Sequence, residues 1–258
     1  MIENSFIIFD KIGSRFEQKL WDQGISNWSI FLKSDASQIK GISKKRKMFY
    51  DQKIKEAQLN LNLGELNYFK KLIKPSQIWR LYSSVSKKLL ANKEILFLDI
   101  ETSQYYGDIT LIGVYDCEDY LALVKGKTLT EDYLKKAFDG KKIVISFNGK
   151  GFDFPVMKRY FQKNFEQVVH FDLRFACQQV GLVGGLKDIE RQLEVSRKLP
   201  IEKMCLSPVD LWNSFISTGN QSYFEELILY NEDDVVNLKT ILDLVIIKLE
   251  QKYLDMIG

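Results

Sequence analysis

At Glu94 the chain changes character. EILFLDI is a run of Ile, Leu and Phe broken only by Asp99, which is the pattern of a strand buried on both faces. DITLIGVYD and DYLALVKG follow after short polar connections and predict two more strands. A helical stretch near 130–138, a fourth apolar run KIVISFN, a helix opening near Phe152 and a fifth run VVHFDL complete the series. Most of what remains reads as helix, ending in a long one from about Phe224 to Tyr253. The order βββαβαβ followed by helices predicts an α/β layered domain with a mixed sheet, three strands in a meander and the later ones joined through helices.

Upstream of that change the reading is all-helical. Helices are predicted at 14–23, ending at Gly24, from Ser26 or Asn27, at 49–60, at 64–72 and, beyond Pro75, through IWRLYSSVSKKLLA. SDASQIKGISKKRK at 34–47 reads as a mobile basic loop. The chain therefore divides into a small helical domain, 1–90, and an α/β domain, 91–258. Charge follows the same division: 17 Lys and Arg stand against 8 Asp and Glu in the first 90 residues, and 20 against 26 in the rest. A basic arm beside an acidic body suits a protein that attracts a polyanion with one part and holds cations with the other. Cys117, Cys177 and Cys205 are isolated, so neither a zinc site nor a disulfide framework is indicated. No stretch approaches the roughly 20 apolar residues needed to cross a bilayer, and the expected location is cytoplasmic.

Acidic residues recur at the ends of the predicted elements. Asp99 and Glu101 are two apart on one extended strand end, so they share a face. Carboxylates that end a mid-sheet strand are costly unless cations neutralise them. Tyr230 and Asp234 are four apart on a helix, which leaves them about 40° apart on one face, whereas Asp233 points about 100° away from Asp234. SFNGKGFDFP places a Gly-rich turn after a strand and Asp153 at a helix entrance, where it serves as an N-cap or faces a ligand. Its glycines permit close backbone approach, and Asn148 can donate to a phosphate or hold the turn.

Together, FLDIET, FNGKGFDFP and YNEDD resemble, in order, the three motifs of the DEDD superfamily of 3′ to 5′ exonucleases, in the branch with tyrosine in the third motif. The closer resemblance, over roughly 95–245, is to the YprB-like ribonuclease H-like domain proteins, to which ITLIGVYD and YNEDDVVNL are similar. The resemblance implies a ribonuclease H-like mixed sheet flanked by helices. It also implies two Mg²⁺ or Mn²⁺ ions, one held by Asp99, Glu101 and Asp234 and the second by Asp99 and Asp153, with Tyr230 orienting the attacking water. The substrate it implies is a single-stranded 3′ end of DNA or RNA, released as nucleoside 5′-monophosphates. A catalytically weak binding protein and an endonuclease on the same fold are the competing readings.

Other residues carry weaker signals. His170 reads as structural, Asp172 as the cap of the helix DLRFACQQV, and Lys187, after a glycine pair, as a phosphate contact or a solvated helix lysine. FDKIGSRFEQKLWDQGISNW resembles half of a helix-hairpin-helix element, which presents backbone N–H groups to nucleic-acid phosphate. Ile12 and Gly13 would form its turn, with Lys11 where the first glycine usually stands, and Phe16, Leu20 and Trp21 would pack inward. Trp79, Arg80 and Tyr82 read as a base-stacking cluster or as the docking face of their helix.

Overall fold

The structure, a computed structural model, describes residues 1–104, 107–163, 167–198 and 206–258. It divides into two compact units, Met1–Ser86 with Ile246–Gly258, and Lys87–Val245.

The first unit contains α1 (Ser14–Trp21), α2 (Trp28–Lys33), α3 (Lys44–Leu63), α4 (Leu66–Lys70) and the start of α5 (Ile78–Ala91). Its core is aromatic: Phe6 lies against Phe31 with ring centroids 5.6 Å apart, and Phe9 against Trp28 at 5.9 Å. Buried Glu17 accepts from the Phe6 amide (2.6 Å) and pairs with Arg80 (2.8 Å), whose guanidinium lies 4.4 Å from the Tyr253 ring centroid. Trp79, Arg80 and Tyr82 are all buried in this unit, so they offer no surface on which bases could stack. Lys11 has a φ of 63°, the left-handed conformation that favours glycine. Leu20 and Trp21 are buried as expected, and Phe16 is half-buried.

The basic segment 34–47 is not the continuous loop expected. A short 3₁₀ turn forms at Ala36–Gln38, and α3 starts already at Lys44. The Ser43 hydroxyl caps it by accepting from the Arg46 amide (3.3 Å), and the pairs Arg46–Tyr50 and Lys47–Asp51 at i,i+4 brace its first turns. Four cations at a helix N-terminus oppose the helix dipole, which is why the segment reads as non-helical.

The second unit is built on β1 (Ile95–Thr102), β2 (Ile109–Tyr115), β3 (Tyr120–Val124), β4 (Ile143–Ser146) and β5 (Val169–Asp172). The sheet order is β3-β2-β1-β4-β5, with β1 central. The meander pairs are antiparallel, and β1–β4 and β4–β5 are parallel. This is the mixed, helix-flanked sheet expected from the order of apolar runs. Leu96, Leu98 and Ile100 alternate onto one face, where α6 (Glu131–Phe138) and α7 (Asp153–Phe161) cover them with Leu134, Phe138, Val156, Met157 and Phe161. On the other face Leu111 and Val124 pack with Leu211 and Trp212 of α10 (Pro208–Thr218) and Leu227 of α11 (Gln221–Ile257). α8 (Leu173–Gln179) and α9 (Leu186–Leu193) lie between β5 and α10 in sequence. Cys117 and Cys177 are free thiols, and Cys205 lies outside the described residues. No helix among the described residues is long and apolar enough to cross a membrane.

Candidate metal centre

Period-two alternation turns Asp99 and Glu101 away from the Leu96, Leu98 and Ile100 face. Asp99 stands opposite Gly113 of β2 and Glu101 opposite Leu111, with a register shift between Glu101 and Thr102 just before the last pair, Thr102 with Ile109. The missing side chain at Gly113 is what lets α11 come close. A Cβ there would overlap the Asn231 side-chain oxygen and stand 2.9 Å from Val235 Cγ2. Through that gap Asn231 Nδ2 donates to Asp99 Oδ2 (3.0 Å) and Glu101 Oε1 (3.3 Å), while its Oδ1 accepts from the Tyr120 hydroxyl (2.9 Å). Gly113→Ala is therefore expected to lower stability by about 1–3 kcal/mol through overpacking, and chemical denaturation measures it. A variant as stable as wild type would mean that α11 does not depend on that gap.

One turn of α11 beyond Asn231, Asp234 completes the cluster. Asp99, Glu101 and Asp234 each offer a carboxylate oxygen, and these atoms all lie within 4.8 Å of one another. Asp234 is also held by two cations: Lys187 Nζ and Arg197 Nη2, the latter at 2.6 Å, both reach its Oδ1. Tyr230 shares this side of α11, with Lys187 Nζ 4.4 Å from its ring centroid and the Arg197 guanidinium at 5.4 Å. Asp233 does turn elsewhere, accepting from the Lys198 amide (3.1 Å), and is not part of the cluster.

The second motif closes the site from the end of β4. Asn148 adopts a φ of 62°, and a Cβ on Gly149 would overlap Ser146 Oγ, so the turn demands small or left-handed residues. Asp172 fastens it by accepting from the Asn148 (2.8 Å) and Lys150 (3.1 Å) amides, while also capping α8 through the Arg174 amide (3.2 Å). The Asn148 side-chain oxygen accepts from Arg174 Nη1 (2.8 Å). Asp153 opens α7 with only 3% of its surface exposed, and its Oδ1 has no hydrogen-bond partner among the described residues. It stands outside the three-residue cluster, yet near enough that Asp99 and Glu101 both act on its ionisation. His170 bonds Ser146 Oγ (2.8 Å), and its ring centroid lies 4.2 Å from that of Phe154, a packed position.

Burial and mutual repulsion shift these groups strongly. Burial pushes the Asp99 carboxyl up to about 6 despite the nearby Lys187 and Arg197 charges. Burial and then the Asp99 charge push Glu101 up to about 8, and the same causes raise Asp153 well above the usual carboxylate range. Burial, reinforced by Arg197, lowers Lys187 to about 8. The Tyr230 phenol is raised by burial and by the Glu101 and Asp99 charges, so it is neutral and keeps its O–H proton.

The donor set suits a hard divalent ion. Every donor is a carboxylate oxygen, which favours Mg²⁺ or Mn²⁺ over thiolate- or imidazole-seeking metals, and the orphaned Asp153 Oδ1 is a buried acceptor awaiting a partner. The structure brings Asp99, Glu101, Asp234, Tyr230 and Lys187 together, with Asp153 beside them and Asn148 in the adjoining turn. Gly13 caps α1 in the first unit. Sequence reasoning overlooked Asn231, Arg197 and Glu190. Asn231 was within reach, since three residues before Asp234 on a helix leaves it about 60° away on the same side. Arg197, outside any regular element, gave no such signal.

A five-stranded mixed sheet with acids toward the C-terminal end of its central strand β1 and on the covering helix fits a ribonuclease H-like α/β protein, a class that includes metal-dependent nucleases. Residues 96–246, more than half of the chain, match the family model RNase_H_2, and the chain belongs to the RNase H superfamily. No curated protein and no solved structure matches it.

Proposed function

We propose that this chain is a metal-dependent 3′ to 5′ exonuclease, of the tyrosine-type DEDD branch and nearest the YprB-like group, that hydrolyses single-stranded DNA or RNA to nucleoside 5′-monophosphates in the cytoplasm. The observation that carries the reading is the convergence of Asp99, Glu101 and Asp234 within 4.8 Å, beside the unpartnered Asp153 Oδ1. Four carboxylates would repel a phosphate backbone unless cations intervened, so a module that only binds nucleic acid gains nothing from them. Asp99, Glu101 and Asp234 would hold one Mg²⁺ or Mn²⁺ and Asp99 with Asp153 a second. Bound there, the pair supplies charge stabilisation at the attacking and leaving oxygens of an in-line displacement.

The chain's own groups do the rest. Asn231 holds Asp99 and Glu101 in one orientation. The neutral Tyr230 hydroxyl, one turn before Asp234, can both donate and accept, which fits it to align a water for attack. Asn148 and Lys187 would contact the substrate's phosphates. In the basic 1–90 part Gly13 would add a backbone contact, leaving 91–258 as the exonuclease domain.

The test uses purified protein and end-labelled single-stranded oligonucleotides with Mg²⁺, Mn²⁺ or EDTA. Stepwise mononucleotide release that EDTA abolishes is the expected result. Intact but tightly bound substrate would instead identify a binding protein, and discrete internal products an endonuclease. Tyr230→Phe, which removes only the hydroxyl, is expected to lower kcat about 10²-fold with KM little changed; an unaltered kcat would remove Tyr230 from the reaction.

A further inference from the structure

Behind the acidic cluster lies a second, almost fully buried set of charges that the proposed chemistry does not use. Arg197 has 3% and Glu190 1% of its side chain exposed, and they form a double contact, Arg197 Nη1 lying 2.9 Å from Oε1 and 2.8 Å from Oε2. Asn237 Nδ2 donates to the same Glu190 Oε1 (2.9 Å) and to the Ser196 carbonyl (3.2 Å), tying α9 and the segment after it to α11. With Nη1 so occupied, Arg197 turns Nη2 to the Tyr230 carbonyl (3.1 Å) and to Asp234 Oδ1 (2.6 Å). Its Nε lies 3.7 Å from Asp233 Oδ2.

Two features of this arrangement bear on the cluster. Both cations that reach Asp234 converge on Oδ1, so its other carboxylate oxygen is bonded by neither. The same guanidinium binds the backbone of Tyr230 and covers its ring, so one rigid fork sets the two functional side chains of α11 relative to each other. Outer partners of this kind orient ligands, and losing them typically costs about 10–100-fold in metal affinity or activity.

We propose that Arg197, clamped by Glu190, is a positioning residue that presents Asp234 to a divalent ion and Tyr230 to the reacting water. This inference rests on the metal reading of the cluster. A phosphate contact is the alternative role for an arginine beside such a site, but full engagement of both Nη atoms with protein acceptors leaves Arg197 no donor fork for substrate.

Mn²⁺ titration by calorimetry gives a readout that needs no turnover. In Arg197→Met and Glu190→Gln, Mn²⁺ affinity is expected to fall about tenfold or more, with kcat falling in parallel and KM for oligonucleotide nearly unchanged. Arg197→Lys, which keeps the charge but not the fork, is expected to fall between them and wild type. Removing the pair's cation leaves Glu190 buried and unpaired, so Arg197→Met is the variant at risk of misfolding. Glu190→Gln and Arg197→Lys, checked by circular dichroism, then decide the matter. Mn²⁺ affinity within twofold of wild type in the folded variants would overturn the proposal, as would a rise in affinity, the sign expected if Arg197 merely competes for Asp234. A raised KM with unchanged Mn²⁺ affinity would make Arg197 a substrate contact. A wild-type chain that takes up no Mn²⁺ overturns the metal reading and this inference together, whereas a wild-type chain that binds Mn²⁺ no better than its folded variants overturns only this one.

Discussion

Asp99→Asn is expected to reduce phosphodiester cleavage by about 10³-fold or more while leaving the metal-free protein at least as stable as wild type. The activity loss follows from removing the charge of the one acid assigned to both ions, about 4 kcal/mol of transition-state stabilisation at about 1.4 kcal/mol per factor of ten. The stability follows from burial: the Asp99 carboxyl is pushed up to about 6 by desolvation, and its charge raises Glu101 and Asp153. Taking that charge away relieves repulsion in the absence of metal. Asp234→Asn is expected to lose activity too, but to be destabilised by about 3–5 kcal/mol, because Lys187 loses its anionic partner and buried Arg197 loses one of its own while keeping Glu190. Cleavage kinetics beside urea denaturation in EDTA separates the two effects. Near wild-type activity in Asp99→Asn would remove β1 from the chemistry.

The second large effect is a pH dependence of stability that bound metal is expected to offset. In the metal-free protein, Asp99 titrates at about 6 and Glu101 at about 8, and Asp153 well above its ordinary range. An unfolded chain releases the same protons near 4. Between about pH 4 and 8 the folded state therefore holds more protons than the unfolded one, so stability falls as pH rises through that window. Lys187, lowered to about 8, acts in the opposite sense only above that value. Divalent ions need the deprotonated carboxylates, so binding expels protons and affinity rises from pH 6 to 8, by about tenfold per unit for each proton released. Thermal unfolding in EDTA should show a melting temperature that declines over this range, and the Mn²⁺-induced increase should grow with pH. Calorimetry in two buffers of different ionisation heat counts the protons. A Mn²⁺ affinity that does not change between pH 6 and 8 would contradict the assignment of the cluster as the metal site.

The parts of the fold that could be read in the chain are those written in local apolar pattern. Each of the five runs from EILFLDI to VVHFDL forms a strand; in β1, β2 and β4 burial on both faces leaves a nearly uninterrupted apolar signal, while the edge strand β3 stays apolar although Leu121 is exposed. The third motif was equally legible: helical spacing alone separated Asp234, which joins the cluster, from Asp233, which bonds the Lys198 amide. The start of α3 was hidden because its basic first turn contradicts the usual helix signals, and only the contacts of Ser43 and Tyr50 explain it. Arg197 and Glu190 were hidden for another reason. Their partners are distant in the chain, and a buried ion pair carries no periodicity in sequence. Asp172 was legible as a helix cap, but its hold on the Asn148–Lys150 turn depends on the β4–β5 register, which no local pattern encodes.

Gly113 carries no chemical group, and yet it links two positions that a motif search would treat as unrelated. Because the room it leaves is filled by Asn231, the two positions are free to diverge only jointly: a side chain on β2 opposite the first acid requires a shorter residue on α11, and a different tether for Asp99 and Glu101. In distant sequences a glycine in the second strand accompanied by an asparagine just after the third-motif tyrosine would therefore be a signature of the same backbone approach, detectable even where the surrounding helices have drifted beyond alignment.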